Sequence, residues 1–211
     1  MKSILLILVL IAAIAASACI IPDDPDAETP TPTTPTPALT TPTTTTTPET
    51  PPSMADAIPV GELPESFTLR AVLDKNTETV DMIGDAALMV SGSLDVGEIV
   101  DAVQGIYVAE GAHTDTAITI IECTDSVNAA NAAQNYKNQS KFERLHLGTI
   151  SRFGTVNFNG HEATEVKTRP PVDDGDLRHG YFWSNGNFVV IVEPGTSDKS
   201  ASMELARMTG Y

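Results

Sequence analysis

Apolar residues recur with two spacings in the chain beyond residue 58, and these spacings predict both strands and helices. Apolar and polar residues alternate from Phe67 to Leu73, which predicts a strand. The segments Gly105–Val108 and Ala117–Cys123 are typical of a hairpin. A helix is expected next, with Thr124 or Asp125 as its N-cap. Two earlier segments are ambiguous. Thr77–Val90 has helical spacing, but its end, Ala86–Val90, fits a strand equally well, and Val96–Val103 fits either element.

The same order of elements returns in the second half of the chain. Asn159-Gly160, a dipeptide favoured by type I′ turns, joins predicted strands at Ser151–Phe158 and Ala163–Thr168. Strands at Gly180–Trp183 and Phe188–Glu193 follow, and Ser197 or Asp198 caps a final helix. We therefore predict an α+β fold, an antiparallel sheet with helices on one face. A ββα duplication is one hypothesis, and chance similarity between two segments is the other.

The first residues combine a basic start, an apolar run and a cysteine. Lys2 precedes the apolar stretch Ile4–Ala16, and Ala16-Ser17-Ala18-Cys19 follows it. The small residues before Cys19 resemble the lipobox of prokaryotic lipoproteins. That resemblance implies cleavage before Cys19 and attachment of lipid to its thiol. An uncleaved membrane helix and simple secretion are the alternatives, and all three place the domain outside the cytoplasm.

A threonine- and proline-rich stalk separates this signal from the domain. From Glu28 to Ser53, 21 of 26 residues are Thr or Pro, so the segment has almost no apolar surface to bury. We predict a signal peptide at 1–18, a lipidated cysteine and disordered stalk at 19–57, and a globular domain at 58–211. The combination resembles the surface lipoproteins of methanogenic archaea in composition.

Charge narrows the choice of partners. From Met54 onward, 23 acidic residues oppose 11 basic ones, a net charge of −12, which argues against binding nucleic acid. With Cys19 assigned to lipid, only Cys123 remains, so the domain has no internal disulfide. Cys123 ends an apolar run and is expected to be a buried small residue.

Candidate sites for chemistry are few. Asp173, Asp174 and Asp176 form an acidic loop, for which calcium is the candidate metal and a solvated turn the favoured interpretation; no other cofactor is expected. The four histidines lack the spacing of metal ligands. Asn138 begins an N-glycosylation sequon, Asn138-Gln139-Ser140. Tyr107 and Trp183 are candidates to line a ligand pocket, with core packing as the alternative.

We expect a membrane-anchored extracytoplasmic lipoprotein that displays a non-catalytic binding domain at the cell surface. Its membrane attachment is through lipid or the N-terminal helix, and its partner is a small ligand or a neighbouring surface protein. The alternatives are an envelope hydrolase with a carboxylate or histidine site among Glu122, Glu193, His146 and His179, or a structural component of the surface layer. No nucleophile elbow, phosphate loop or zinc-protease motif supports the hydrolase.

Overall fold

A computed structural model describes residues 53–109, 115–143, 147–169 and 175–211. Cys19 and the stalk up to residue 52 lie outside the described residues. Three α-helices are present in these ranges: α1 (Met82–Met89), α2 (Ser126–Lys137) and α3 (Lys199–Arg207). Two short 3-10 helices accompany them, at Met54–Ala57 and Ser140–Phe142, so the described order begins before the predicted domain boundary at residue 58. Seven strands are β1 (Phe67–Leu73), β2 (Ile99–Ala109), β3 (Thr116–Cys123), β4 (Phe153–Phe158), β5 (His161–Thr168), β6 (Arg178–Asn185) and β7 (Phe188–Val192). No helix in the described segments is long and apolar enough to cross a bilayer.

The strands form one antiparallel sheet in the order β1-β2-β3-β7-β6-β5-β4. This confirms the α+β class with an antiparallel sheet. The apolar runs explain which strands are central. In β7 both Val189 and Val190 are fully buried, and so are Ile120 and Ile121 in β3, because these two strands are covered on both faces. The edge strand β1 keeps the alternating pattern that its sequence has.

The helices lie on both faces of the sheet, which differs from the predicted single face. Ala132 and Tyr136 of α2 pack with Ile191 and with α1 in one apolar cluster. Leu205 of α3 packs with Val190 in the cluster on the other face. Successive residues of β7 point to opposite faces, so each helix covers its own set of side chains.

The ββα order occurs twice, as β2-β3-α2 and β6-β7-α3, but the two units do not match in space. A twofold axis normal to the sheet would exchange β3 with β7 and β2 with β6, and it would leave both helices on one face. Because α2 and α3 lie on opposite faces, the units share their chain order and strand pairing without sharing the position of the helix.

Short sequence patterns predicted several boundaries of strands and helices correctly. Strand β1 has the predicted bounds, and Asp125 and Asp198 are the N-caps of α2 and α3. Asn159 and Gly160 both have positive φ, 52° and 76°, as a type I′ turn requires. The two ambiguous segments resolve differently. The first contains α1, and the second enters β2, which starts at Ile99 and continues to Ala109 as one strand.

Amide side chains on α2 and just beyond its C-terminus hold the end of α1 and the segment that joins α1 to β2. They donate to backbone carbonyl oxygens in three places: Asn131 to Asp95, Asn135 to Val90 and Leu94, and Gln139 to Met89. Asn135 also accepts from the Leu94 N–H, and it is 1% exposed. Buried amides need such partners, so the Asn-rich composition of α2 has a structural cause.

Candidate functional site

The two aromatic residues predicted to line a pocket are buried in the cluster that contacts α3. Tyr107 is fully buried, and its hydroxyl donates to the carbonyl oxygen of Pro59 at 2.9 Å. Trp183 is 3% exposed and packs edge-on against Phe158, with ring centroids 4.9 Å apart. Within the described residues its Nε1 has no hydrogen-bond partner. Both residues thus belong to the core cluster, and Trp183 is also among the residues that line the smaller hollow described below.

The other candidate residues from the sequence do not form one site within the described ranges. Asp173 and Asp174 of the acidic loop lie outside the described residues, and Asp176 is described. In the described ranges no group of three His, Cys, Asp or Glu side chains is placed to hold a metal. Cys123 is buried, and burial raises the pKa of its thiol, as expected for a structural cysteine. Asn138 is exposed at the C-cap of α2.

The residues nominated for a hydrolase have separate partners. Glu122 accepts from Asn187 Nδ2 at 3.1 Å, and Glu193 lies 3.5 Å from Lys141 Nζ. His179 Nδ1 lies 2.9 Å from Glu165 Oε1. His146 lies outside the described residues. The described members of this set are therefore not brought together around one reacting position.

A groove runs beside the C-terminal half of α2 on the face opposite α3. Its larger hollow, of about 590 Å³, is lined by Lys137, Asn138, Gln139, Phe142, Glu143, Arg152 and Phe153. A second hollow of about 170 Å³ shares Lys137 and extends between α2 and the strands β5 and β6, past Gln134, Glu162, Thr164 and Ser184. We call the two hollows together the α2 groove.

The wall of the groove is built from packed aromatic rings. Phe142 contacts both Tyr136 and Phe153 edge-on, with centroid separations of 5.4 and 5.7 Å. Phe182 continues the cluster from β6, 5.1 Å from Tyr136. Edge-to-face packing fixes the orientation of these rings, so Phe153, which is partly exposed, presents a defined apolar surface.

Two lysines border this aromatic wall. Lys137 Nζ lies 5.4 Å from the centroid of the Phe153 ring. Lys141 Nζ lies 4.4 Å from the Tyr136 ring and 5.2 Å from the Phe142 ring, and it also pairs with Glu193. Cations over aromatic faces are attracted by the ring quadrupole. Burial, reinforced by the charge of Glu193, raises the pKa of Tyr136 well above its ordinary value, so this tyrosine is neutral.

A charged cluster lies on the other face, under the first turn of α3. Glu165 is 4% exposed, and its Oε1 lies 2.8 Å from Lys199 Nζ and 2.9 Å from His179 Nδ1. Lys167 Nζ lies 3.6 Å from Oε2. Burial raises the pKa of Glu165, but the hydrogen bonds from Lys199 and His179 and the attraction of both lysines outweigh it, so the pKa is lowered. This cluster joins β5 and β6 to α3.

The α2 groove combines several kinds of polar group with aromatic surface. It offers cations, amides, hydroxyls and aromatic surface, which are groups that orient a ligand. Three candidates from the sequence belong to these two sites: Asn138 and Trp183 line the α2 groove, and His179 belongs to the Glu165 cluster. Lys137, Phe153 and Glu165 were not among the candidates. The available signal was the concentration of basic residues after Lys137, because four of the eleven basic residues of the domain lie between Lys137 and Arg152.

Comparison with known proteins gives no relative from which a function could be transferred: no family model, no curated protein and no solved structure matches the chain.

Proposed function

We propose that this protein is a membrane-anchored extracytoplasmic lipoprotein whose domain binds a ligand in the α2 groove without chemical conversion. The signal-like N-terminus with Cys19 and the Thr/Pro-rich stalk support the location. If the 26 residues of the stalk adopt polyproline II geometry, they span on the order of 80 Å. Such a spacer would carry the domain well away from the bilayer.

The main observation in support of the binding function is that the ring of Phe153 is partly exposed beneath the amine of Lys137. The exposed amides of Gln134 and Asn138 lie beside it in the groove lining. Ligand sites typically combine aromatic side chains with a few polar groups, and Phe153, Lys137 and Asn138 supply that combination here. The first described residues, from Met54 to Leu63, pack on the α3 face. The groove therefore lies on the opposite face of the sheet from these residues.

The location is tested by the intact mass of protein extracted from membranes, compared with a Cys19→Ser variant. We expect a mass that matches loss of residues 1–18 and gain of lipid on Cys19. The variant should lack the lipid and leave the membrane fraction. An unmodified chain that keeps Met1 and stays in the membrane would replace the lipid anchor with an uncleaved helix.

The binding function is tested by co-sedimentation of the full-length protein, in detergent, with insoluble envelope material from the cells that express it. We expect the protein to sediment with this material, and a Phe153→Ala variant to sediment less. Phe67→Ala, which truncates a buried ring of the other cluster, is the matched control for loss of an aromatic side chain. If Phe153→Ala sediments like the wild type, the groove is not the binding surface.

A further inference from the structure

Lys137 differs from most cations of this acidic domain in its immediate surroundings. At least six of the described basic residues form ion pairs with carboxylates: Arg70, Lys75, Lys141, Lys167, Lys199 and Arg207. Among the described residues, no carboxylate lies within ion-pair distance of Lys137. Its amine lies over Phe153 instead, at the point where the two hollows of the groove meet.

The chain around Lys137 also has the opposite charge to the rest of the domain. From Lys137 to Arg152 the sequence holds four basic residues and one acidic residue, a net charge of +3. The domain as a whole carries −12 from Met54 onward, so the other residues sum to −15. Lys137 and Arg152 line the groove together with the carboxylates of Glu143 and Glu162. At an ionic strength of 0.1 M the Debye length is about 10 Å, so a ligand in the groove responds mainly to these charges and much less to the distant acidic residues of the domain.

The shape and the remaining lining groups indicate what kind of anion fits. Both hollows are open, and they share Lys137, so they form an elongated groove rather than an enclosed pocket. Amides at Gln134, Asn138 and Gln139 and hydroxyls at Thr164 and Ser184 offer donors and acceptors along it. The carboxylates of Glu143 and Glu162 accept hydrogen bonds from hydroxyl groups and repel anions. A lining that contains cations, neutral polar groups and carboxylates suits a ligand with many hydroxyls and widely spaced negative charges.

We propose that the α2 groove binds a linear acidic glycan, a chain of sugars that carry carboxylate groups. One carboxylate of the glycan pairs with Lys137 Nζ, and the sugar hydroxyls on either side contact the amides and hydroxyls of the groove. A charge-assisted hydrogen bond is stronger than a neutral one, so Lys137 supplies selectivity for the acidic sugar. This inference rests on the binding function proposed above and names its ligand class.

The test is isothermal titration of the full-length protein in detergent, at pH 7 and 0.1 M salt, with three polymers. Polygalacturonate is the acidic glycan, dextran is a neutral glycan, and polyglutamate carries carboxylates without sugars. We expect polygalacturonate to bind at least about tenfold more tightly than either of the others, because only it offers both kinds of contact.

Variants of Lys137 test the role of its charge. Lys137→Ala should weaken binding of polygalacturonate by about tenfold, and Lys137→Arg should retain most of it. Lys75→Ala is the matched control, because it removes the same charge from a lysine outside the groove lining. We expect it to change the affinity by less than about twofold.

Several results would overturn the inference: no binding of polygalacturonate, equal binding of dextran or polyglutamate, or unchanged binding by Lys137→Ala. Competition in the co-sedimentation assay separates this failure from failure of the proposed function. If the protein still sediments with envelope material and polygalacturonate does not displace it, the groove binds a different class of ligand. If the wild-type protein does not sediment with the envelope at all, the binding function fails as well.

Discussion

On the α2 face, neutral amide side chains hold a backbone segment against the helix, whereas on the α3 face a buried carboxylate holds two lysines and a histidine. Asn135 makes three hydrogen bonds to Val90 and Leu94. The carboxylate of Glu165 contacts the side chains of Lys199, His179 and Lys167. Both arrangements satisfy buried polar groups, but only the second depends on ionisation, so the two faces should respond differently to mutation and to pH.

The largest effect is expected for Asn135→Ala. The substitution leaves the buried carbonyl oxygen of Val90 and the polar groups of Leu94 without their partner, so the free energy of unfolding should fall by about 3 kcal/mol. Urea denaturation followed by circular dichroism measures the change. Asn131→Ala, which removes one hydrogen bond to Asp95, is the control and should cost about 1 kcal/mol or less. Equal losses in the two variants would contradict the role assigned to Asn135.

Glu165→Gln should have the next largest effect. It keeps the shape of the side chain and removes the charge that attracts three basic groups, so stability should fall by about 2 kcal/mol. Lys199 is 46% exposed and can regain water, which limits the loss. Glu204→Gln, in the exposed pair with Arg207, is the control and should change the same denaturation midpoint very little. A loss no larger than that of the control would mean that the Glu165 cluster contributes nothing.

The pH dependence distinguishes the two faces directly. The pKa of Glu165 is lowered below its ordinary value of 4.5, so the folded state favours the carboxylate more than the unfolded state does. The resulting stability is complete above the ordinary pKa and is lost as the pH falls through the folded value. The difference between wild type and Glu165→Gln should therefore shrink between about pH 5 and pH 3. The difference between wild type and Asn135→Ala should stay constant, and a parallel decrease in both would refute the contrast.

The smallest effect on stability is expected for the N-cap aspartates, because the helices on the two faces are capped in the same way. Asp125 accepts from the Asn128 N–H at 2.8 Å to cap α2, and Asp198 accepts from the Ala201 N–H at 3.0 Å to cap α3. Replacing either aspartate with alanine should lower stability by about 1 kcal/mol. Thermal melts of the two variants should shift by similar amounts. A much larger shift in one of them would show that its aspartate does more than cap the helix.

The candidate site was much less predictable than the fold. Tyr107 and Trp183 are conspicuous aromatics, but strand alternation in β2 and β6 directs both into the core. No sequence pattern marks Phe153 and Lys137 as neighbours, because they lie 16 residues apart in different elements. They come into contact only because α2 lies close to β4 in the fold. The sequence likewise does not distinguish Glu165 from the many exposed acidic residues, because the partners of Glu165 lie on three elements, β5, β6 and α3.

The sequence by itself determined the α+β class, the antiparallel sheet, the β1 boundaries, the Asn159-Gly160 turn and the N-caps of α2 and α3. These features depend on residues that are close along the chain, where periodicity, turn chemistry and caps act directly. Only the tertiary structure decided that α3 covers the face opposite α2, that the chain from Met54 to Leu63 packs beside α3, and that a groove remains beside α2. Those outcomes depend on packing between distant segments, and local propensities carry no information about which face a helix will cover.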